Sequence, residues 1–297
     1  MDLSRAFSGF RGCARILANA GVSMGLVLLW PTLSVSLPPV HIARDGSRMV
    51  LVSAGVFLMG PLPGRKIHLD TFYIDEREIT QAQFRVFVLD RGGRPPGDES
   101  LRAKPYRWSA RRYPKGLGDH PVVGVTWEEA RRYCRWAVKR LPTEPEWEKA
   151  ARSAAGRTYP WGRRWEAARL NGAELWAGRA ILSPKDYDRF YWWVYKKRWE
   201  GRVVQTKPVG SFGNGASPYG VLDMAGNAAE WVADWFDENY PLSGPSENPP
   251  GPASGKEKVV RGGGYADSRW RVTTTFRDKA EPQRRLPTVG FRCARSP

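Results

Sequence analysis

Tyr219-Gly-Val-Leu-Asp-Met-Ala-Gly-Asn-Ala-Ala-Glu-Trp231 is the stretch that decides the architecture of this 297-residue chain. It belongs to the half beyond Gly162, where strand and helix periodicities break down and Trp, Gly, Pro and Asn dominate. A Gly226-Asn227 turn sits between two carboxylates, Asp223 and Glu230. That pattern suits a chain folding round a hard cation, which takes carboxylate and carbonyl oxygens. It suits equally an acidic turn satisfied by backbone donors and a nearby Arg.

Outward from this turn, regular structure is concentrated upstream. Residues 49–60, Met-Val-Leu-Val-Ser-Ala-Gly-Val-Phe-Leu-Met-Gly, read as a strand pair around a turn, and Phe72–Ile74 as a further strand. Three helix starts carry one device: Thr80 with Gln83, Thr126 with Glu129, and Thr143 with Glu146 each form a capping-box pattern. The third helix takes Pro145 in its first turn and stops by Gly156. Downstream, Lys258–Arg261 and Arg271–Phe276 read as short strands, and Pro241–Gly255 as a surface loop. Few long helices, and much irregular chain pinned by aromatics, predict one α+β domain over residues 47–297.

The first forty residues differ. Arg5, Arg11 and Arg15 precede the apolar run Gly21–Trp30, and Ser34-Val-Ser36 follows as a small-x-small site. This is the pattern of a secretory signal peptide over residues 1–36, or of an uncleaved N-terminal anchor. The run is too short, and too soon broken by Pro31, for a confident membrane span. Residues 37–46 read as a linker. The chain is therefore expected to be exported, periplasmic or extracellular. Removal of the segment leaves Cys134 and Cys293, either a disulfide or two buried thiols. A bond would close a loop of about 160 residues and stabilise the fold by about 5 kcal/mol in the chain-entropy picture.

A net charge of +17 favours anionic partners without choosing among them. An acidic glycan or membrane surface fits; so does a solvated basic exterior. No zinc-finger spacing, RNP-like strand or basic zipper accompanies the charge, so nucleic acid is not expected.

Eight strings resemble the formylglycine-generating enzyme, or sulfatase-modifying factor, family. They are Val52–Gly60, Ile74–Thr80, His120–Trp127, Arg140–Glu148, Tyr159–Gly162, Tyr219–Trp231, Val260–Gly264 and Gly290–Ala294, in the family's order. The resemblance implies a single compact domain with a C-type-lectin-like core; separately, a monomer is expected. The resemblance also implies a Cys134–Cys293 disulfide. It implies calcium on Asp223 and Glu230 with the main-chain carbonyls of Gly226 and Ala228. A second calcium site would start at Asn171-Gly172, but its downstream half is replaced by the segment Lys185–Glu200.

The departure that bears on function follows Gly262-Gly-Gly-Tyr265. Active members of the family carry a cysteine pair there that binds copper, and soft thiolates are what Cu(I) requires. The aligned positions are Asp267 and Val272, while the pocket serine and tryptophan are Gly264 and Ala229. Copper and formylglycine generation are therefore not expected. The pocket left by these changes carries Asp267, Ser268, Arg269, Arg271 and Arg277. Such a group suits either a clamp on a carboxylate or phosphate, or an ordinary ion-pair cluster. Tyr191, Trp192, Trp193 and Tyr195 offer an aromatic rim to a ligand, or packing. The expected function is an accessory or ligand-binding protein for a peptide, protein or small anionic ligand. The alternative is a periplasmic tailoring enzyme of a peptide or cofactor with non-cysteine chemistry.

Overall fold

Short runs of β-branched and aromatic residues build three small sheets. The structure is a computed structural model that describes residues 39–97, 101–199 and 205–297, with backbone alone for 101–103, 194–199 and 242. The segment read as signal peptide or anchor lies outside the described residues.

The strands are β1 (Val40–Ile42), β2 (Arg48–Val52), β3 (Gly55–Met59), β4 (Arg65–Leu69), β5 (Phe72–Asp75), β6 (Ala229–Trp235), β7 (Lys258–Arg261), β8 (Asp278–Ala280), β9 (Val289–Phe291) and β10 (Ala294–Arg295). One sheet has the order β1-β2-β5-β10, a second pairs β3 with β4, and a third runs β8-β7-β6-β9. Pairing is antiparallel except between β6 and β9. Residues 49–60 do supply two strands, but they face different partners. β2 joins β5, while β3 turns away to β4. The linker assigned to residues 37–46 contains β1, because Val-His-Ile registers on Arg48–Val50. Arg271–Phe276 forms no strand: Arg271 N–H bonds to the Ser268 carbonyl and Phe276 N–H to the Thr273 carbonyl, so the segment is a run of turns.

The helices are α1 (Gln81–Arg91), α2 (Trp127–Trp136), α3 (Glu144–Arg152), α4 (Ala173–Ala177), α5 (Pro184–Trp199) and α6 (Tyr240–Ser243). All three expected capping boxes form, with Thr80, Thr126 and Thr143 as N-caps. α3 ends at Arg152, before Gly156, and all nine of its residues are buried. Its charges are answered within the core: Glu148 accepts from Arg152 at 2.9 Å and from Arg261 at 2.7 Å. Such charges are tolerated inside only because each finds a partner.

Phe84, Tyr133, Trp231 and Phe291 lead one apolar cluster; Phe57, Phe72, Trp147 and Val232 lead another. Cys134 on α2 and Cys293 between β9 and β10 are bonded, with Cα atoms 5.7 Å apart. Of the two fates open to these cysteines, the disulfide is the one observed. Lys139 lies beside it, fully buried, donating to Asp45 at 2.8 Å and to Asp75 at 3.0 Å.

Candidate functional site: an acidic turn and a remodelled loop

The acidic turn of 223–230 needs unusual backbone geometry. Asp223, Gly226 and Asn227 have φ of 57°, 77° and 60°. A Cβ on Gly226 would stand 2.3 Å from the Asn171 carbonyl oxygen, so only glycine fits. Asn171 holds the turn from outside. Its carbonyl accepts from Asn227 N–H at 2.8 Å, its side-chain amide donates to Asn227 Oδ1 at 3.0 Å and to the Gln205 carbonyl at 3.1 Å, and its Oδ1 accepts from the Trp176 indole at 2.7 Å. Gly172 is the N-cap of α4. Asn171 and Gly172 therefore act as a bracket for the turn. Downstream, Asp186 lies in the first turn of α5, where its N–H donates to Ser183 Oγ and its carboxylate accepts from the Ser183 hydroxyl, both at 3.1 Å.

Chain reversal brings Glu78, Asp223 and Glu230 together. All three are buried, and Glu230 is only 1% exposed. Arg292, itself fully buried, donates bidentately to Glu230 at 2.6 and 2.7 Å, and Trp147 Nε1 donates to Glu230 Oε2 at 2.8 Å. Asp223 accepts from Gly210 N–H at 2.6 Å. Glu78 accepts from Asn227 Nδ2 and from Ala228 N–H, both at 2.9 Å. Burial, and then the neighbouring Asp223 and Glu230 charges, push the Glu78 carboxyl well above the ordinary carboxylate range. Burial likewise raises Asp223, against the pull of the Gly210 N–H. Burial disfavours the Arg292 charge, but Glu230, together with Glu78 and Asp223, outweighs it and its pKa rises.

Three carboxylates thus face one guanidinium. The surplus negative charge is what a hard cation completes, and the donor chemistry fits calcium through Glu78 and Asp223. Glu230 fits less well, since both its oxygens are engaged by Arg292 and Trp147. Among the described residues, no three His, Cys, Asp or Glu side chains are already arranged as a metal-binding group. Glu78 was absent from the sequence-derived set. It also lines a cleft of about 520 Å³, with Arg48, Arg77 and Asp119.

The loop after Gly264 is organised differently. Asp267 accepts from Gly264 N–H and from Arg271 Nε, both at 2.8 Å, and Arg271 also donates to Asp278 at 2.6 Å. Burial works against the Arg271 charge, but Asp267 and Asp278 raise its pKa. Arg269 pairs with Glu174 at 3.1 Å over the Trp165 ring. Arg277 turns to α3, donating to both Glu144 oxygens at 2.7 and 2.8 Å, so it does not join Asp267 in one clamp. The Ser268 hydroxyl is buried without a hydrogen-bond partner among the described residues. Val272 is fully buried in a cluster with Tyr159, Leu170 and Ala225. At Gly264 a side chain would come within 3.2 Å of the Thr288 carbonyl oxygen, and Ala229 opens β6 in the core.

A profile of the sulfatase-modifying factor enzyme 1-like domain matches residues 37–297. The chain belongs to the sulfatase-modifying factor family. The formylglycine-generating enzyme of Bos taurus is 31% identical, over 84% of this chain and 74% of its own. The inactive C-alpha-formylglycine-generating enzyme 2 of Mus musculus is 30% identical, over 91% and 92%. PvdO from Pseudomonas aeruginosa is similar in structure, with a TM-score of 0.66 and 24% identity over 88% of this chain and 100% of that one. The family has active and inactive members, and this chain shares their α+β, C-type-lectin-like fold.

Proposed function

We propose that this family member is an exported accessory or ligand-binding protein that does not generate formylglycine. One observation carries the proposal: the thiolate pair that the family resemblance requires is replaced by Asp267, which is closed on Arg271, and by Val272, which is buried in apolar contacts. The cysteines of the described domain are joined to each other, so no thiolate remains there for copper. Export is supported by that disulfide, since such bonds persist in oxidising compartments, and by the signal-like pattern of residues 1–36. For the ligand, the Asp267–Arg271–Asp278 cluster offers one partly exposed guanidinium, 36% accessible, to a carboxylate or phosphate able to displace Asp278.

The test is to incubate purified protein with copper, oxygen and a cysteine-containing peptide, and to follow the peptide by mass spectrometry and dissolved oxygen by electrode. No aldehyde and no oxygen uptake are expected. Turnover, or stoichiometric copper or iron in the isolated protein, overturns the proposal.

Calcium belongs to the same reading as a structural ion, held by Asp223 and Glu78 with the carbonyls of Gly226 and Ala228. At a hundredfold excess over its dissociation constant, an ion bound only to the folded state adds about 2.7 kcal/mol. A rise of roughly 5–10 °C in melting temperature over an EDTA-treated sample follows for a domain of this size. An unchanged melting temperature with no bound calcium by elemental analysis rejects the ion.

A further inference from the structure

The segment 104–118, which runs beside α1, sorts its side chains into two sets. Its apolar members hold it to the domain. Tyr106 and Leu117 are buried, and Trp108 is half-buried, donating from Nε1 to Gln81 Oε1 at 3.1 Å. Tyr113 meets the Trp108 ring edge-on, with centroids 5.8 Å apart. Between these two aromatics, Ser109 and Arg112 exchange both backbone hydrogen bonds at 3.0 Å, closing a tight turn with Ala110 at φ 54°. Arg85 on α1 ties the turn down, donating from Nε to the Arg111 carbonyl at 3.0 Å.

The basic members face solvent. Lys104, Arg107, Arg111, Arg112 and Lys115 are all exposed, and no Asp or Glu lies between Lys104 and Gly118. Among the described residues, Lys104, Arg111, Arg112 and Lys115 have no ion pair, and nor does the exposed Arg94 nearby. Surface arginines elsewhere are answered by close acids, as Arg131 is by Glu128 and Arg169 by Glu166. Beside the turn, a cleft of about 510 Å³ is lined in part by Arg94, Pro95, Pro96, Arg107, Trp108 and Arg285. Arg285 is engaged by Glu129 and the Gly124 carbonyl, so Arg94 brings unpaired charge to the cleft.

We propose that this turn and cleft bind a linear acidic polysaccharide, one bearing carboxylate or sulfate groups. Guanidinium groups pair with such oxyanions, and a patch of one sign draws in a polyanion. The aromatic pins and the Ser109–Arg112 bonds fix the backbone beforehand, so binding has less chain to order. No large apolar side chain of the segment is exposed, whereas docking on a bilayer combines charge with inserted apolar groups. Trp108, on the cleft wall, offers an aromatic face to the C–H side of a sugar ring. The choice of a polysaccharide over nucleic acid rests on the exported reading of this protein; binding measured on the purified protein does not.

The experiment is isothermal titration calorimetry of the purified protein with heparin and hyaluronate octasaccharides. Neutral dextran, poly-glutamate and single-stranded DNA of similar length are the comparisons. Binding to an acidic sugar is expected, with none to dextran. Heparin alone would name sulfate as the group read, and binding to hyaluronate as well would name carboxylate. The affinity should fall at least about tenfold between roughly 50 and 300 mM salt, as screening shortens the reach of the charges. R111E with R112E should weaken binding about tenfold, and R94E with K104E, which leaves the turn untouched, about fivefold. The control pair R163E with R164E, also exposed, removes equal charge and should change binding less than about twofold. Melting temperatures of all variants report folding. Equal losses in the control pair reduce the effect to net charge and overturn the proposal. So do binding indifferent to both test pairs, binding to dextran as tight as to the acidic sugars, and no binding to either acidic sugar. Poly-glutamate or DNA that binds as tightly, with the same dependence on Arg111 and Arg112, overturns the choice of a polysaccharide.

Discussion

The acidic centre of Glu78, Asp223, Glu230 and Arg292 and the loop of residues 264–278 carry charge in opposite ways. In the centre every member is buried, and one guanidinium faces three carboxylates. In the loop, Arg271 sits between Asp267 and Asp278, with side chains 36%, 20% and 46% exposed. Water shares the work in the second case and is excluded from the first. The centre holds together segments that are far apart in sequence, whereas the loop can change its residues at small cost to the fold. That separation lets the family architecture persist while partly exposed loop positions such as Asp267 and Asp278 vary.

The strongest way to break the contrast is Arg292→Met. It leaves three buried carboxylates without their cation, and removing one partner of a buried pair costs about 3–5 kcal/mol. A fall in melting temperature of roughly 10 °C or more, read by differential scanning calorimetry, is expected. A drop no larger than that of a surface mutant would show that the centre is not held by this pair.

A second measurement uses pH. Asp234 on β6 is fully buried and accepts from Glu144 N–H at 2.7 Å; burial, then the Glu144 charge, raises its pKa from 3.8 to about 8. The folded state therefore binds this proton more tightly than the unfolded one. Its stabilisation is complete below about pH 4 and is lost as pH rises through about 8. In calcium-free buffer Glu78 and Asp223, raised by burial, act in the same direction. Lys258, lowered from 10.5 to about 8 by burial, acts at higher pH, between those two values. The melting temperature should fall between pH 5 and pH 8, and Asp234→Asn should flatten that fall. An unchanged slope in the mutant would remove Asp234 from the account.

The smallest effect belongs to the loop. Arg271→Ala removes a partly exposed pair, and such pairs contribute about 0–1 kcal/mol. A shift under roughly 3 °C is expected. A larger one would place the loop with the core.

What was legible in the sequence was mostly local. The capping boxes at Thr80, Thr126 and Thr143 needed residues only three apart, and all formed. The family strings gave the fold because many of them meet at one centre: Trp147, Glu230 and Arg292 each come from a different string. Glu78 escaped because its partners lie about 150 residues downstream, at 223–230. The separate partners of β2 and β3 were hidden for a similar reason, since a hydrophobic run does not say which sheet receives it. α5 was masked by its Tyr-Trp-Trp-Val-Tyr run, residues that favour strands. Ser183-Pro184 and Asp186 at its start were a legible signal of a helix N-terminus that went unread. The self-pairing of the loop could not be read from composition, which allows a clamp and a closed ion-pair cluster alike.

Residues 289–295 concentrate several closures in a few positions. They supply β9 and β10, one strand to each four-stranded sheet, together with Arg292 for the acidic centre and Cys293 for the disulfide. During synthesis the ribosome adds these residues after every other element they complete. A chain stopped before residue 289 would carry an unpaired Cys134, an uncompensated Glu230 and two open sheet edges, features by which cellular quality control distinguishes unfinished chains. Folding of this domain is therefore tied to the arrival of residues 289–295, since no earlier stretch supplies these closures.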